Sequence, residues 1–310
     1  MSVGFVGGVG SSHGVRRQVR CCTTPGNKLR ETLARPGIQL MPCCFDALSA
    51  RLIERAGFNF TFMSGFSSAA VHGLPDTGLM SFEEVRRHLQ YLTETNNIPV
   101  ICDGDTGYGN ALNVKRTIQG LHSAGAAGIM IEDQISPKRC GHTKVKGVVS
   151  YDEAMMRMRA AIDARDAHAS DLVIVARTDA AKAIGIDEAI KRANEFHKMG
   201  AEVSFVEAPD SVEAMQRLCD GIDGWTMCNC LEMGATPILE PARLEELGYK
   251  IAAYPLTLLS SAVKSMEEAL VVLRAGDVSK VKPMLKEFTD LQELVGFDDY
   301  FREEKLYEVP

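Results

Sequence analysis

The sequence lacks the features that mark several protein classes. It has no stripe rich in lysine and arginine, and its formal net charge is −7, so we do not expect nucleic acid or an anionic membrane as a partner. No apolar run is long enough to span a bilayer. The nine cysteines include no CxxC pair that would indicate a zinc site. The chain is also too long for a small secreted scaffold, so reduced thiols in an intracellular compartment are expected.

The N-terminus lacks acidic residues, since no Asp or Glu precedes Glu31. The same stretch is rich in Ser, Thr and Gly and carries five basic side chains between positions 16 and 30. This composition is typical of an organelle transit peptide, although a disordered tail or a gene-model artefact would give the same pattern. We therefore assign residues 1–28 to a transit peptide or disordered segment, and residues 29–310 to one domain.

The rest of the chain alternates short apolar runs with amphipathic segments. The runs are apolar throughout, as in a parallel sheet covered by helices, and they recur at steady spacing. Eight such units in a domain of this size predict a (β/α)8 TIM-type barrel. A doubly wound open sheet is the alternative, but no glycine-rich nucleotide fingerprint follows the first run. The predicted strands are residues 38–41, 58–63, 98–102, 128–131, 172–176, 203–206, 225–228 and 251–253.

The C-terminal part of the chain is predicted to be helical over residues 256–275 and 278–294. One barrel does not need this much helix. We expect these segments to pack on a neighbouring subunit, although an extra layer on the same barrel would give the same pattern.

Nearly every predicted strand ends in a polar residue. In a (β/α)8 barrel the carboxyl ends of the strands meet at one rim, where catalytic groups are found. Any one of these residues could be a helix cap or a solvated loop residue, but six positions together favour a shared site. They are Ser64-Gly65, Asp103 with Asp105, Glu132, Arg177, Glu207 and Asn229.

Three of the rim residues form a candidate metal site. Asp103, Asp105 and Glu132 offer only carboxylate oxygens, which favours Mg²⁺, or alternatively Mn²⁺, over zinc. Arg177 adds a planar cation that suits a carboxylate or phosphonate. Backbone amides at Ser64-Gly65 could bind one more carboxylate oxygen. A metal and an arginine on an acidic chain indicate a small anionic substrate with several oxygens.

The segment after the fourth strand, residues 134–150, is long, basic and punctuated by glycine, as a lid over an anionic ligand would be. Cys140 lies among basic neighbours that lower the pKa of a thiol. Neither a partner base nor an oxyanion hole is evident, so a proton donor is favoured over a nucleophile. The alternative is an incidental cysteine in a solvated basic loop.

Five motifs in the same order resemble the isocitrate lyase / phosphoenolpyruvate mutase superfamily, from residue 29 to the C-terminus. They are SGFSSAAVHGLPDTG, DGDTGYGN, KRCGH, NCLEMGATP and AAYPL. The resemblance is strongest to the plant-type branch labelled carboxyvinyl-carboxyphosphonate phosphorylmutase, chloroplastic, near petal death protein and 2,3-dimethylmalate lyase. It implies location in the chloroplast, with the mitochondrion as the alternative.

The resemblance also implies an assembly and a set of site residues. The last helix would be swapped between subunits in a homotetramer built as a dimer of dimers, and Mg²⁺ would be held largely through water. The metal residues would be Asp103, Asp105 and Glu132. The substrate-binding residues would be Ser64, Gly65, Phe66, Asp76, Gly141 and Asn229, and the catalytic residues Cys140, His142, Arg177 and Glu207.

Members of the superfamily that carry KRCGH are C–C bond lyases, whereas mutases and phosphonopyruvate hydrolases lack the cysteine. The resemblance therefore implies cleavage of a 2-hydroxy dicarboxylate to a 2-oxo acid and a carboxylate, with Cys140 as proton donor. Methylisocitrate lyases usually have Tyr where this chain has Phe62, and oxaloacetate hydrolases Ser where it has Leu231. Phe66 and Leu231 favour a dialkylmalate. A phosphonomutase, an oxaloacetate hydrolase and a non-catalytic binding barrel are the alternatives.

Overall fold

The computed structural model describes residues 23–138, 147–169, 171–232 and 234–309. Eight parallel strands form a closed barrel in chain order, and the last strand pairs with the first, Ile251 opposite Gln39. The predicted (β/α)8 fold is confirmed. The strands are β1 Gln39–Cys44, β2 Thr61–Met63, β3 Val100–Asp103, β4 Gly128–Glu132, β5 Val173–Thr178, β6 Val203–Val206, β7 Trp225–Asn229 and β8 Ile251–Tyr254.

Helices alternate with the strands and cover the outside of the barrel. Side-chain caps begin several of them; α4, for example, has a capping box formed by Ser81 and Glu84. The helices are α1 Pro25–Ala34, α2 Ala47–Arg55, α3 Gly65–Val71, α4 Phe82–Thr95, α5 Ala111–Ser123, α6 Tyr151–His168, α7 Ala180–Ala183, α8 Ile186–Met199, α9 Val212–Gly221, α10 Pro241–Leu247, α11 Thr257–Arg274, α12 Phe288–Val295 and α13 Phe297–Glu304.

The apolar core has two layers, because the strands carry apolar side chains on both faces and each face must be covered. One layer fills the barrel, with Phe62, Met130 and Phe205 among its members, and the other lies between the strands and the helices. Burying large side chains of this kind contributes roughly 1.5–3 kcal/mol each. The barrel interior is therefore a packed core, and the space for a ligand is at its carboxyl-terminal mouth.

Helix α1 lies against the opposite end of the barrel. Its Arg30 pairs with Glu202 at 2.6 Å and donates to the carbonyl of Asp171 at 2.7 Å. A Cβ at Gly26 would lie 1.7 Å from the Asp171 carbonyl oxygen, so only glycine permits this contact. The helix begins at Pro25, so residues 25–28 belong to the fold and not to the N-terminal segment.

The C-terminal arm, residues 257–309, differs from the prediction after its first helix. The helix predicted over 278–294 is replaced by two 3₁₀ turns, Val278–Lys280 and Lys282–Met284, followed by α12. Pro283 explains the break, because it cannot donate to a helical hydrogen bond. Helices α11, α12 and α13 have no buried residue in the single chain.

In the part of the chain that the structure describes, no helix is long and apolar enough to cross a membrane.

Candidate active site at the barrel mouth

The carboxyl ends of the strands surround one cavity. The structure brings most of the predicted rim residues to it, each from a different strand or the loop that follows. Gly65 and Asp105 lie beside it, in an adjoining pocket that Asp76 and Asp103 also line. The predicted residues that line the main cavity are Ser64, Phe66, Asp76, Asp103, Glu132, Arg177, Glu207 and Asn229.

The backbone after β3 turns sharply, which places Asp103 and Asp105 together. Asp105 has φ of +50°, and its amide donates to Asp103 Oδ1 at 3.0 Å. The amide of Gly104 donates to the Met130 carbonyl at 2.8 Å, and a Cβ there would lie 2.7 Å from the same oxygen. The amide of Glu132 in turn donates to the Asp105 carbonyl at 3.0 Å. The three acids are therefore held by the ends of two adjacent strands.

Gly65, the first residue of α3, faces the acids through its backbone. Its amide donates to Asp103 Oδ2 at 3.2 Å. A Cβ at this position would lie 2.6 Å from that oxygen and 2.8 Å from Lys138 Nζ, so a side chain here would push both groups away. The Ser64-Gly65 turn thus needs glycine for close approach rather than for an unusual backbone angle.

Lys138 is a site residue that was not predicted from the sequence. Its side chain is only 7% exposed, and its ammonium lies 2.9 Å from Asp76 Oδ1, 3.9 Å from Asp103 Oδ2 and in contact with Asp105. Burial lowers the pKa of Lys138, but the three carboxylates outweigh it and raise that pKa well above its usual range. The sequence places Lys138 in the basic loop, but no sequence pattern predicts which carboxylates it contacts.

The acids favour an added cation. Burial raises the pKa of Asp105 to about 6, although Lys138 opposes the shift. Burial likewise raises the pKa of Glu132 well above its usual range despite Arg177. Among the described residues, Glu132 Oε1 is buried without a hydrogen-bond partner. All three side chains offer hard oxygen ligands, so their chemistry fits Mg²⁺. Within the described ranges, however, no group of three or more His, Cys, Asp or Glu is arranged to hold a metal.

Arg177 is fixed by the surrounding carboxylates. It lies opposite Glu132 in the register of β4 and β5, and its Nε is 3.2 Å from Glu132 Oε2. Its Nε and Nη2 donate to Asp179 at 2.9 and 3.2 Å, and Nη2 lies 3.5 Å from Glu207. Asn229 also donates to Glu207, at 3.2 Å. The guanidinium and the Asn229 amide therefore stand side by side at the cavity.

A buried network behind Arg177 was also missed from the sequence. Asp133 accepts hydrogen bonds from Thr178 Oγ1 at 2.6 Å and from the Asp179 amide at 2.9 Å. It also pairs with Arg192 of α8 at 2.9 Å. Asp179 in turn holds Arg177 with both oxygens. This chain of contacts links a helix on the outside of the barrel to the orientation of a rim residue.

The cavity is also lined by apolar side chains. Phe62, Met130 and Phe205 belong both to the barrel core and to the cavity lining, and Phe66 and Leu231 line it as well. Phe205 lies beside Arg177, whose Cζ is 5.4 Å from the centre of its ring, so a ligand in this cavity meets charged groups and hydrocarbon together. The remaining apolar residues of the cavity lining are Met41, Cys43, Met227, Ala253, Pro255 and Leu256.

The two described ends of the loop over residues 134–150 pair with each other. Ile135 N donates to the Gly147 carbonyl at 3.0 Å, and Arg157 donates to the carbonyls of Glu132 and Gln134 at 2.7 and 3.0 Å. The loop therefore begins at the cavity, which Gln134 and Lys138 line, and its other end returns to lie beside Ile135. Cys140, Gly141 and His142 lie outside the described residues, and their roles stay predictions.

Comparison with known proteins places these features in a family. The profile of the family described as phosphoenolpyruvate phosphomutase matches residues 29–274. The chain is 38% identical over 273 residues to 2,3-dimethylmalate lyase of Eubacterium barkeri, with 87% of this chain and 94% of that protein covered. It is 37% identical over 287 residues to a chloroplastic carboxyvinyl-carboxyphosphonate phosphorylmutase of Arabidopsis thaliana, with 90% and 84% covered.

Solved structures show the same similarity in three dimensions. An oxaloacetate acetylhydrolase in complex with 3,3-difluorooxalacetate matches with a TM-score of 0.87 at 31% identity, covering 91% of this chain and 97% of that one. A phosphonopyruvate hydrolase in complex with oxalate and Mg²⁺ matches with a TM-score of 0.82 at 27% identity, covering 92% and 99%. Both of these related structures contain a small oxygen-rich anion.

Proposed function

Because the chain belongs to the phosphoenolpyruvate phosphomutase family, within the isocitrate lyase / phosphoenolpyruvate mutase superfamily, we propose that it is a Mg²⁺-dependent C–C bond lyase. Its proposed substrate is a 2-hydroxy dicarboxylate of the 2,3-dialkylmalate type. The products are a 2-oxo acid and a carboxylate, pyruvate and propionate in the case of 2,3-dimethylmalate. The 38% identity to a 2,3-dimethylmalate lyase supports this choice of substrate.

The observation that carries the proposal is that carboxylates, Arg177 and apolar side chains converge on one cavity at the carboxyl ends of the strands. Arg177 and Asn229 would bind the carboxylate at C2, together with the amides of Ser64-Gly65. Asp103, Asp105 and Glu132 would hold Mg²⁺, which would polarise substrate oxygens as the C–C bond breaks. Phe66 and Leu231 would contact the alkyl substituents.

The chemistry is a retro-Claisen cleavage. A base removes the proton of the C2 hydroxyl, the C2–O bond becomes a carbonyl, and the electrons of the C2–C3 bond move onto the departing fragment as an enediolate. Cys140 then gives a proton to C3, which yields the free carboxylate. Arg177 keeps the 2-oxo acid in place while negative charge moves away from C2. Asp76, Glu207 and His142 would complete the polar surroundings.

Two other activities, and a barrel without catalysis, are the alternatives to the proposed lyase. Oxaloacetate hydrolysis has support from the match to an oxaloacetate acetylhydrolase structure, but Leu231 stands where that activity typically has serine. Phosphorus–carbon chemistry has support from the family description, but the KRCGH motif favours a lyase. A non-catalytic barrel would not need to retain the acids together with Arg177.

The substrate preference can be tested by steady-state kinetics. We expect kcat/KM for 2,3-dimethylmalate to exceed that for 2-methylisocitrate by roughly tenfold or more, because the third carboxylate of the latter would lie against apolar side chains. Leu231→Ser should reduce this ratio, whereas Leu112→Ser, at an exposed position of α5, should leave it unchanged. A preference for 2-methylisocitrate, or a kcat/KM ratio that Leu231→Ser does not change, would contradict the proposed contact of Leu231 with the alkyl groups of the substrate.

We further propose that the protein is a homotetramer in which the C-terminal arm packs on a neighbouring subunit. The support is that α11 has no buried residue in one chain and exposes large apolar side chains. Leu270 is 63% exposed and Val271 is 70% exposed. Such a contiguous apolar surface is typical of a subunit interface.

Light scattering tests this assembly. We expect the unmodified protein to have the mass of a tetramer, and Leu270→Asp with Val271→Asp to shift it to smaller species, because charge would be buried in the interface. Leu112→Asp is the matched control, since Leu112 is an equally exposed apolar residue on α5. A monomer, or a tetramer that survives both aspartates, would refute the proposed contact.

Plastid location is also proposed, with the mitochondrion as the alternative. It rests on the acid-free composition of the N-terminal segment and on similarity to a relative described as chloroplastic. Because the fold includes Pro25, any cleaved leader should end before that residue.

A further inference from the structure

Lys138 occupies the position between the acids that the proposed function gives to the metal. Its ammonium contacts Asp105 and lies 3.9 Å from Asp103 Oδ2. A buried lysine is costly without carboxylate partners, and two neighbouring buried carboxylates are costly without a cation. Each group therefore stabilises the other in the metal-free protein. The same two carboxylates are the ones from which a divalent ion would take oxygen ligands.

Asp76 adds a third partner that lies outside the proposed metal set. It pairs with Lys138 at 2.9 Å and is itself largely buried. If Lys138 moved away from Asp103 and Asp105, it could keep the contact with Asp76. The ammonium thus has a second carboxylate to hold it while the first two bind another cation.

We infer that Lys138 is an internal counter-cation of the metal-free enzyme, and that a divalent ion must displace it from Asp103 and Asp105 in order to bind. The inference rests on the proposed metal site. Its consequence is that Lys138 weakens divalent-ion binding when no substrate is present. The residue also links the occupancy of the site to the segment of the loop that carries it, residues 134–138.

The affinity of the substrate-free enzyme for Mn²⁺, followed by the electron paramagnetic resonance signal of free Mn²⁺, tests the inference. Lys138→Met should bind Mn²⁺ on the order of tenfold more tightly than the unmodified protein, since a competing positive charge is removed. Lys138→Arg keeps the charge and should resemble the unmodified protein. Lys115→Met is the control, because Lys115 pairs with Asp163 on the surface. Equal affinity of Lys138→Met and the unmodified protein would overturn the inference.

Acetylation of lysines, quantified by mass spectrometry, tests the displacement itself. Lys138 should be protected in the metal-free protein and should react several-fold faster when Mg²⁺ is added, while labelling of Lys115 should not change. Protection that persists with bound Mg²⁺ would show that the two cations coexist, and would refute the exchange. Thermal unfolding of each variant confirms that it is folded, and Lys138→Arg provides the comparison if Lys138→Met is not.

Failure of the inference can be distinguished from failure of the proposed function. If neither the unmodified protein nor Lys138→Met binds Mn²⁺, the proposed metal site is wrong. If both bind it, and Asp103→Asn abolishes binding, the metal site stands. An unchanged affinity in Lys138→Met would then reject only the counter-cation role.

Discussion

Replacing Arg177 with methionine is expected to lower kcat/KM for 2,3-dimethylmalate by about 10²–10⁴-fold. The guanidinium is a fixed cation of the cavity and would bind a substrate carboxylate with two charge-assisted hydrogen bonds, each worth roughly 1.5–3 kcal/mol. Ten-fold in rate corresponds to about 1.4 kcal/mol, which gives the range. Initial rates of pyruvate formation measure the effect.

The same substitution should also destabilise the protein, and this must be separated from catalysis. Glu132, Asp179 and Glu207 all pair with Arg177, and breaking a buried ion pair costs roughly 3–5 kcal/mol. Arg177→Lys keeps a positive charge near these acids but loses the planar set of guanidinium N–H donors. We therefore expect a folded enzyme whose activity is still strongly reduced. Arg243→Met, at an exposed pair with Glu246, is the control. A folded Arg177→Met enzyme with more than a tenth of normal activity would contradict the role.

Replacing Cys140 with alanine is expected to lower kcat for C–C cleavage by roughly 10²–10⁴-fold, the usual contribution of a positioned proton donor. The effect should fall on the protonation step, so deuterium should still enter C2 of the propionate formed in D₂O but without stereospecificity. Proton NMR of the reaction measures the rate, and proton NMR of the propionate as an ester of a chiral alcohol measures the configuration at C2.

The control for Cys140 is Cys219→Ala. Cys219 is half-buried outside the cavity, and burial raises the pKa of its thiol to about 11, so activity should stay within a few-fold of normal. Equal losses in the two variants would indicate a structural effect rather than proton donation. Full activity of Cys140→Ala with 2,3-dimethylmalate would reject the cysteine as the donor.

The barrel was predictable because the strands are short, mostly apolar runs at steady spacing, and most of them end at or beside a polar residue. The rim followed from the same pattern, since parallel strands end at one edge and Asp103, Glu132 and Arg177 are the residues at those ends. The limits of strands were less predictable. Residues 58–60 look like part of β2, yet pairing with β3 begins only at Thr61 opposite Val100.

What the sequence could not provide was the choice of partners across the fold. Lys138 is one of several basic residues in its loop, and only the folded chain shows that it meets Asp76 from another loop. The contacts of Asp133 with Thr178 and Arg192 join positions 45 and 59 residues away. Pairing at such distances depends on the barrel's closure, which no local pattern encodes.

The central claim, a Mg²⁺-dependent C–C lyase, is tested most directly by an NMR time course of the purified protein from Pro25 onward. 2,3-Dimethylmalate and phosphonopyruvate would be supplied in parallel with Mg²⁺, each with and without EDTA. We predict pyruvate and propionate in equal amounts from 2,3-dimethylmalate, abolished by EDTA, with phosphonopyruvate unchanged. Turnover of phosphonopyruvate alone would contradict the account and identify phosphorus–carbon chemistry as the activity of this site.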